Sequence, residues 1–422
     1  MRRPSKDPSQ KLSGDSQRLA SLAQAHAQAS SRLEERGWER QIDTLIEKLL
    51  KNDRQAALDA TLDHLFRTDP DTYDTLIESA EAASESCTIE QDGKYFDALL
   101  IAVPMLAWTR FSIASGPISA DVLLTLSAHL YAHVLAADTK LAMAPNLFAI
   151  DQLPHTHAEA FSLTRHLAHA ALTGNSLRPL GNLPETAPFL ADTRYFVAVV
   201  AAPAGAPLFR WQTPDAQGDI TNERQQALSQ WRAQAMPTIE RMLPGCGVEL
   251  LLPEAYYVAC READKQIRPA SIRAAVHYLT HTLSVAPSGL SAIIGGFAEE
   301  SIDGRIDEYR ISFTLHQQRD VVYGVVWPLF GEEDAEEDLR DAMAFHAINA
   351  EPSVTQADYA NPLEEIFSLL GQCGIVDVKF HSEQFPMESC DDCGAPLYCD
   401  REAELVHAEM PEDAPQTTER FH

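Results

Sequence analysis

The clearest chemical motif in the sequence is a pair of cysteines near the carboxyl end, Cys390 and Cys393, followed at once by Gly394. Two cysteines separated by two residues can present both thiolates from one tight turn, and the glycine can take the left-handed backbone angle that the turn needs. The pattern is typical of one half of a rubredoxin-like zinc site. It supplies two of the four ligands that tetrahedral zinc requires.

The same segment contains residues that could complete a metal site. Cys399 follows closely, and His407 returns on a short predicted strand, which gives the pattern Cys-x2-Cys-x5-Cys-x7-His. The predicted zinc ligands are therefore Cys390, Cys393, Cys399 and His407, with His381 and Cys373 as substitutes. A site with four protein ligands is closed and structural, and bound zinc would stabilise a tail too small to fold alone.

Two other interpretations of these thiols stay open. A redox dithiol needs a lowered thiol pKa, whereas Asp391 and Asp392 between the two cysteines would raise it. The thiols could also be free and without a ligand. A second Cys-x-x-Cys motif, which usually accompanies the first in zinc sites, is missing from the sequence.

Two histidine pairs have the spacing of a metal-binding helix. His129 and His133, and likewise His277 and His281, are four residues apart, which places both imidazoles on one face of a helix. Neither pair has the glutamate that follows the first histidine in metalloproteases. We interpret them as surface or hydrogen-bonded histidines, with a metal or proton-relay role as the alternative.

Catalytic residues can be proposed only from their position near predicted strand ends. The candidates are Glu254, Glu262 and Asp264, used with His155 or His157. The sequence has no GxGxxG after a strand, no GxxxxGK[ST], no GxSxG, no HExxH and no EF-hand loop. Nucleotide-driven and serine-hydrolase chemistries therefore lack their usual motifs.

The core that must position these residues contains two segments with similar sequence patterns. YFDALLIAVPMLAWTRF and YFVAVVAAPAGAPLFRW each begin a strand–helix–strand–helix order, and each first strand starts at Tyr-Phe and reaches a proline. Near-continuous apolar strands belong in a sheet that helices cover on both faces. We therefore predict a mixed α/β fold with a duplicated βαβα core. A crevice between the halves, at the strand ends, would be the place for an enzyme site.

The remaining segments are predicted from local patterns. Apolar residues at helical spacing predict three or four helices at the start, and Asp92-Gly93 predicts a tight hairpin between the next two strands. A three-stranded antiparallel meander from Leu290, with the half-exposed strand EYRISFTL, should extend or cap the sheet.

The predicted divisions are a disordered basic arm (1–14), a helical region (15–86), a first half (87–180), a second half with its meander (190–330), an acidic flexible insertion (331–360), a helix and strand with the cysteine knuckle (361–411) and a disordered tail (412–422).

Composition limits the class of protein. The chain has 422 residues, of which 45% are hydrophobic, which is enough for two or three globular domains. A formal net charge of −29 repels phosphate backbones, so we expect no nucleic-acid partner. Seven cysteines spread over a long chain favour reduced thiols and a cytoplasmic setting. The apolar runs are too short to span a membrane, and the start has no signal-peptide core.

Several phrases of the sequence, taken in order, carry a resemblance. They are YFDALLIAVPMLAWTRF, LPETAPFLADTRYF, LLPEAYYVACREADKQIRP, GVVWPLFG, CDDCGAPLY and VHAEMPED. From about Leu12 to Asp413 the chain resembles the betaproteobacterial proteins of domain-of-unknown-function family 2863. The resemblance implies a bacterial, cytoplasmic setting and a variable insertion at Gly331 to Ala360.

We expect a non-enzymatic protein that binds a protein or small ligand and contains structural zinc, with the crevice enzyme as the alternative.

Overall fold

The computed structural model describes most of the chain. The described residues are 12–109, 112–181, 183–184, 186, 189–212, 220–298, 306–316, 318–329, 361–391 and 394–411. The predicted acidic insertion (331–360) and tail (412–422) lie outside these residues, as does most of the predicted basic arm.

The chain begins with four packed helices, as the sequence predicted. They are α1 Gly14–Ala27, α2 Arg32–Lys51, α3 Gln55–Thr68 and α4 Pro70–Glu85. The side chain of Asp69 accepts a hydrogen bond from the Thr72 N–H, and Pro70 occupies the first turn of α4, where its missing N–H is not needed. Buried side chains at helical spacing, such as Leu19, Ile46 and Leu58, form a core of their own.

The predicted hairpin is confirmed. Strand β1 (Ser86–Gln91) pairs antiparallel with β2 (Lys94–Trp108), and the two residues between them have positive φ angles, 52° at Asp92 and 73° at Gly93. A two-residue hairpin turn needs these angles at both positions, and Asp-Gly adopts them readily.

The order strand–helix–strand–helix then occurs twice, on either side of residues 174–190. The first part contains β2, β3 Gly116–Pro117, α5 Ala120–His133, β4 Lys140–Met143, β5 Asn146–Ala149 and α6 His157–Thr173. The second contains β6 Ala191–Pro203, α7 Ile220–Met242, β7 Gly247–Leu250, β8 Glu254–Ala255 and α8 Tyr256–Thr282.

The two parts share one antiparallel sheet. Strand β2 pairs with β6 along its length, from Phe96 opposite Pro203 to Trp108 opposite Ala191. The short strands β4 and β5 pair with β6, whereas β7 and β8 pair with β2. The short strands of each part therefore pair with the long strand of the other part.

Helices cover both faces of this sheet, which explains why its long strands are apolar throughout. Ile101, Val103 and Met105 of β2 belong to the same buried cluster as side chains of α5 and α7. The alternate residues Leu100 and Ala102 pack with α6 and α8. Successive side chains of a strand point to opposite faces, so both sets must be apolar.

Two details of this region differ from the sequence prediction. The apolar run VELLLPEAYYVAC at 248–260 predicts a single strand, but α8 begins at Tyr256 and continues past Pro269. Tyr256, Ala259 and Ala263 recur at three and four and pack on the sheet, so the helical period decides this segment. A proline near a strand end predicts that ladder pairing stops there, yet β2 continues past Pro104 to Trp108, and the Pro104 carbonyl accepts the Leu251 N–H at 3.0 Å.

The predicted meander forms a second sheet and does not extend the first. Its strands are β9 Leu290–Ala298, β10 Glu308–Leu315 and β11 Val321–Pro328, and β12 Asp377–Pro386 adds parallel to β9. Helix α9 (Pro362–Gln372), where a helix was predicted, packs with α8 against one face. Strands β13 Tyr398–Cys399 and β14 Leu405–Val406 form a small two-stranded sheet beyond it.

Strand β10 is buried on both faces, although its alternating sequence predicted a half-exposed strand. The C-terminal segment covers the second face, where the Ser312 hydroxyl donates to the Cys399 carbonyl at 2.5 Å. Polar residues of β10 are therefore used for internal hydrogen bonds. Within the described part of the chain, none of the helices combines the length and apolar composition needed to cross a membrane.

Candidate functional site

The described part of the Cys-x-x-Cys segment is a tight hairpin. Ser389 forms a β-bridge with Pro396, and the Cys390 N–H donates to the Ala395 carbonyl at 2.8 Å. The Gly394 N–H donates to the Cys390 carbonyl at 2.8 Å, and Gly394 has a φ of 74°. The glycine after the cysteines therefore takes the left-handed angle that the sequence predicted for a metal-binding turn.

A buried arginine fixes this hairpin to the second sheet. Arg310 of β10 is 3% exposed, and its guanidinium donates to the main-chain carbonyls of Glu388 and Leu397, one on each arm of the hairpin. Its Nε donates to Glu308 Oε1 at 2.8 Å, and its guanidinium lies 4.3 Å from the centroid of the Phe297 ring. The ion pair with Glu308 joins residues two positions apart, whereas the contacts with the hairpin join residues 78 and 87 positions apart.

The two other predicted zinc ligands that the structure describes, Cys399 and His407, do not form a metal-binding group with Cys390. Cys399 is fully buried beside Gly295 and Phe385, and this burial raises the pKa of its thiol to about 12. His407 is half-buried with Nδ1 3.4 Å from an oxygen of Glu409.

Strand register separates Cys390 from Cys399. Cys390 pairs with Ala395, and Cys399 lies four residues beyond Ala395, which corresponds to roughly 13 Å along an extended strand. Among the described residues, no three His, Cys, Asp or Glu side chains group as metal ligands. Cys393 lies outside the described residues, so the zinc site stays a prediction.

The substitute ligands are also engaged elsewhere. His381 is buried in β12 with Nε2 2.8 Å from the Asp400 carbonyl oxygen. Cys373 caps the end of α9, where burial raises the pKa of its thiol. Neither is grouped with two other metal-binding side chains in the part of the chain that the structure covers.

The carboxylates proposed for catalysis are held by different partners. Glu254 forms an ion pair with Arg224, and Glu262 is exposed and accepts a hydrogen bond from Gln266 at 2.9 Å. Asp264 is largely buried, which raises the pKa of its carboxyl to about 6, although the charge of Arg268 opposes the change.

The proposed histidines lie at the start of α6. His155 is exposed with Nε2 2.9 Å from the Asp151 carbonyl oxygen, and His157 is half-buried beside Tyr257 with a pKa lowered by burial. Two surface cavities of about 550 Å³ and 490 Å³ are present in the described structure, and none of the five proposed residues lines either. The placement of these residues gives the crevice enzyme no support.

Sequence reasoning missed the hydrogen bonds that connect α4, the last of the first four helices, to α8. Glu85, at the end of α4, accepts the Tyr257 N–H at 3.0 Å, and Glu81 accepts two hydrogen bonds of 2.7 Å from Arg261. Burial raises the pKa of Glu85 to about 7, against the lowering effect of the Tyr257 N–H. A signal was present: Ala255, which precedes α8, cannot cap a helix with its side chain, so the free N–H groups need a partner from elsewhere.

Replacing Glu85 with glutamine should remove a pH dependence of stability. The raised pKa means that protonated Glu85 stabilises the fold, an effect present below pH 4.5, declining towards pH 7 and lost above it. Glutamine still accepts the Tyr257 N–H and has no charge to bury. We expect Glu85→Gln to be more stable than the parent by about 2 kcal/mol at pH 8 and by much less at pH 5. Urea unfolding at both pH values measures the difference.

The exposed Glu78 of the same helix provides the control for this measurement. Glu78→Gln removes a similar charge without altering the hydrogen bonds between α4 and α8, so its effect on stability should be small and equal at both pH values. An equal effect of Glu85→Gln at pH 5 and pH 8 would contradict the assigned role of Glu85.

Comparison with known proteins identifies a family. No curated protein and no solved structure matches the chain. The model of a family described as "Protein of unknown function (DUF2863)" matches residues 4–421, which is nearly the whole chain. The chain therefore belongs to the family of proteins of unknown function DUF2863.

Proposed function

We propose that the chain is a cytoplasmic binding protein, not an enzyme, whose C-terminal hairpin holds a structural zinc ion. The observation that carries the proposal is the hairpin at Cys390, with Gly394 in the left-handed conformation and both arms bonded to Arg310. Two thiolates on such a turn suit tetrahedral zinc. A preformed and anchored turn also reduces the ordering that metal binding requires.

The donors proposed beside Cys390 and Cys393 are Cys399 and His407. For Cys399 to bind zinc, its thiol must leave the cluster that contains Phe385 and lose its proton. The gain from zinc coordination, an apparent 10 kcal/mol or more in small zinc domains, is large enough to drive such a rearrangement. We therefore keep Cys399 and His407 in the proposed set of four zinc ligands.

Elemental analysis tests the metal. The purified protein should contain about one equivalent of zinc, and Cys390→Ser should lose it. Cys87→Ser, which changes a half-buried thiol in β1, is the matched control and should keep the metal. Zinc below a tenth of an equivalent in the parent, unchanged by Cys390→Ser, would overturn the proposal.

The same measurement decides the remaining donors. Loss of zinc in both Cys399→Ser and His407→Ala supports the set of four. Full zinc content in either variant removes that residue from the set and leaves the pair in the hairpin.

A surface groove supports the binding role. Its volume of about 550 Å³ is within the range of small-ligand sites, and it is lined by Pro117, Gln152, Leu180 and Pro184 among others. At its base the fully buried Asn146 exchanges two hydrogen bonds with the Leu180 backbone, of 3.3 and 2.8 Å. We propose a small molecule or a protein segment as the ligand, and a thermal-shift screen tests it.

We also propose that the α/β core arose by duplication. Reciprocal pairing supports this proposal, since Pro203 lies opposite Phe96 and Pro104 lies opposite Tyr195. In the β2–β6 pair, the proline of each of the two similar segments therefore lies opposite the Tyr-Phe pair of the other segment.

A further inference from the structure

Two exposed histidines lie one turn apart near the end of α8. The ring centroids of His277 and His281 are 4.4 Å apart, and the ring planes are tilted by 31°. Both rings project from the same helix face, so a cation could contact both at once. This face is separate from the hairpin and from the groove described above.

The ring separation fits a metal bound by both imidazoles. A metal 2.0–2.1 Å from an imidazole nitrogen lies about 3.2 Å from the ring centroid. Two rings that bind at a right angle then have centroids about 4.5 Å apart, and a right angle is the geometry of tetragonal Cu(II) and Ni(II) sites. The 4.4 Å separation of His277 and His281 is close to this value.

We propose that His277 and His281 form a two-imidazole site for a divalent late transition metal, with water filling the other positions. Imidazole suits copper, nickel and zinc, and the Irving–Williams order makes Cu(II) the tightest of these cations. Arg273 lies one turn earlier on α8, and its positive charge weakens the site without blocking it.

The chain contains a matched pair that should not bind in this way. His129 and His133 of α5 have the same spacing, but their ring centroids are 6.4 Å apart. His133 Nδ1 also lies 3.3 Å from Gln230 Oε1, a contact that holds the ring away from its neighbour. These rings are too far apart for a right-angle chelate.

Titration of the full chain with Ni²⁺ by calorimetry tests the site, because Ni²⁺ does not oxidise the thiols as Cu²⁺ does. His277→Ala and His281→Ala should each weaken the imidazole-bound class of sites by about tenfold or more, since the second imidazole binds intramolecularly. His129→Ala should have no effect. All three positions are at least partly exposed, so the variants should fold.

Thiolate–nickel absorption in the near ultraviolet reports binding at the hairpin separately, so failure of the zinc proposal does not affect this test. Unchanged Ni²⁺ affinity in both His277→Ala and His281→Ala would overturn the inference. An equal loss from His129→Ala would do so as well, because it would show that ring separation does not matter.

Discussion

Arg310→Met is expected to destabilise the protein by about 3–5 kcal/mol. The guanidinium is 3% exposed and bonds to Glu308 and to the carbonyls of Glu388 and Leu397. Methionine fills similar space but leaves a buried carboxylate and two carbonyls without this donor. Chemical denaturation should show the loss, and hydrogen exchange should show that residues 388–411 become unprotected first.

The controls separate burial from charge. Arg319→Met changes an arginine whose side chain is 79% exposed and whose oxygen partner on Glu402 is 3.5 Å away, so we expect less than about 0.5 kcal/mol. The double variant Arg310→Met with Glu308→Leu removes both charges and should recover part of the stability. A loss below about 1 kcal/mol in Arg310→Met, with protection of 388–411 unchanged, would show that the arginine does not anchor the hairpin.

Gly324→Ala is expected to destabilise the protein by about 3 kcal/mol, because Tyr398 packs directly on this glycine. A Cβ at Gly324 would lie 2.1 Å from Cζ of the Tyr398 ring. The backbone of β11 cannot move easily, since Gly324 pairs with Ser312 of β10. The buried ring of Tyr398 must therefore shift and loosen the packing of β13 against the second sheet. Denaturation and hydrogen exchange of residues 398–406 measure both effects.

Gly371 of α9 is the matched control for this change. A Cβ there would meet nothing within 4 Å, and the residue lies in a helix, so Gly371→Ala should be neutral or stabilising by up to about 1 kcal/mol. Equal effects of the two substitutions would contradict the packing argument.

Local patterns in the sequence were sufficient for elements that depend on neighbouring residues. The first four helices, the Asp92-Gly93 hairpin and α9 occur where periodicity and turn residues predicted them. The left-handed angle at Gly394 was predicted for the same reason. In each case the decisive interactions are within a few positions along the chain.

Partners across the fold could not be predicted from these patterns. An apolar strand such as β2 does not specify that its neighbours are β6, β7 and β8, and EYRISFTL does not reveal that the C-terminal segment will cover it. The helical start of α8 was hidden because its cap, Glu85, lies far away in the sequence. For the same reason the hydrogen bonds from Arg310 to Glu388 and Leu397 could not be predicted from the sequence.

The exchange of strands between the two parts of the first sheet affects how the chain is made. β2 leaves the ribosome before β6, β7 and β8 have been translated, although all of them pair with it. At roughly 5–20 residues per second the nascent strand waits several seconds with apolar faces uncovered. Folding of this core is therefore delayed until most of the polypeptide has been synthesised, and the long sequence separation of the paired strands further slows it.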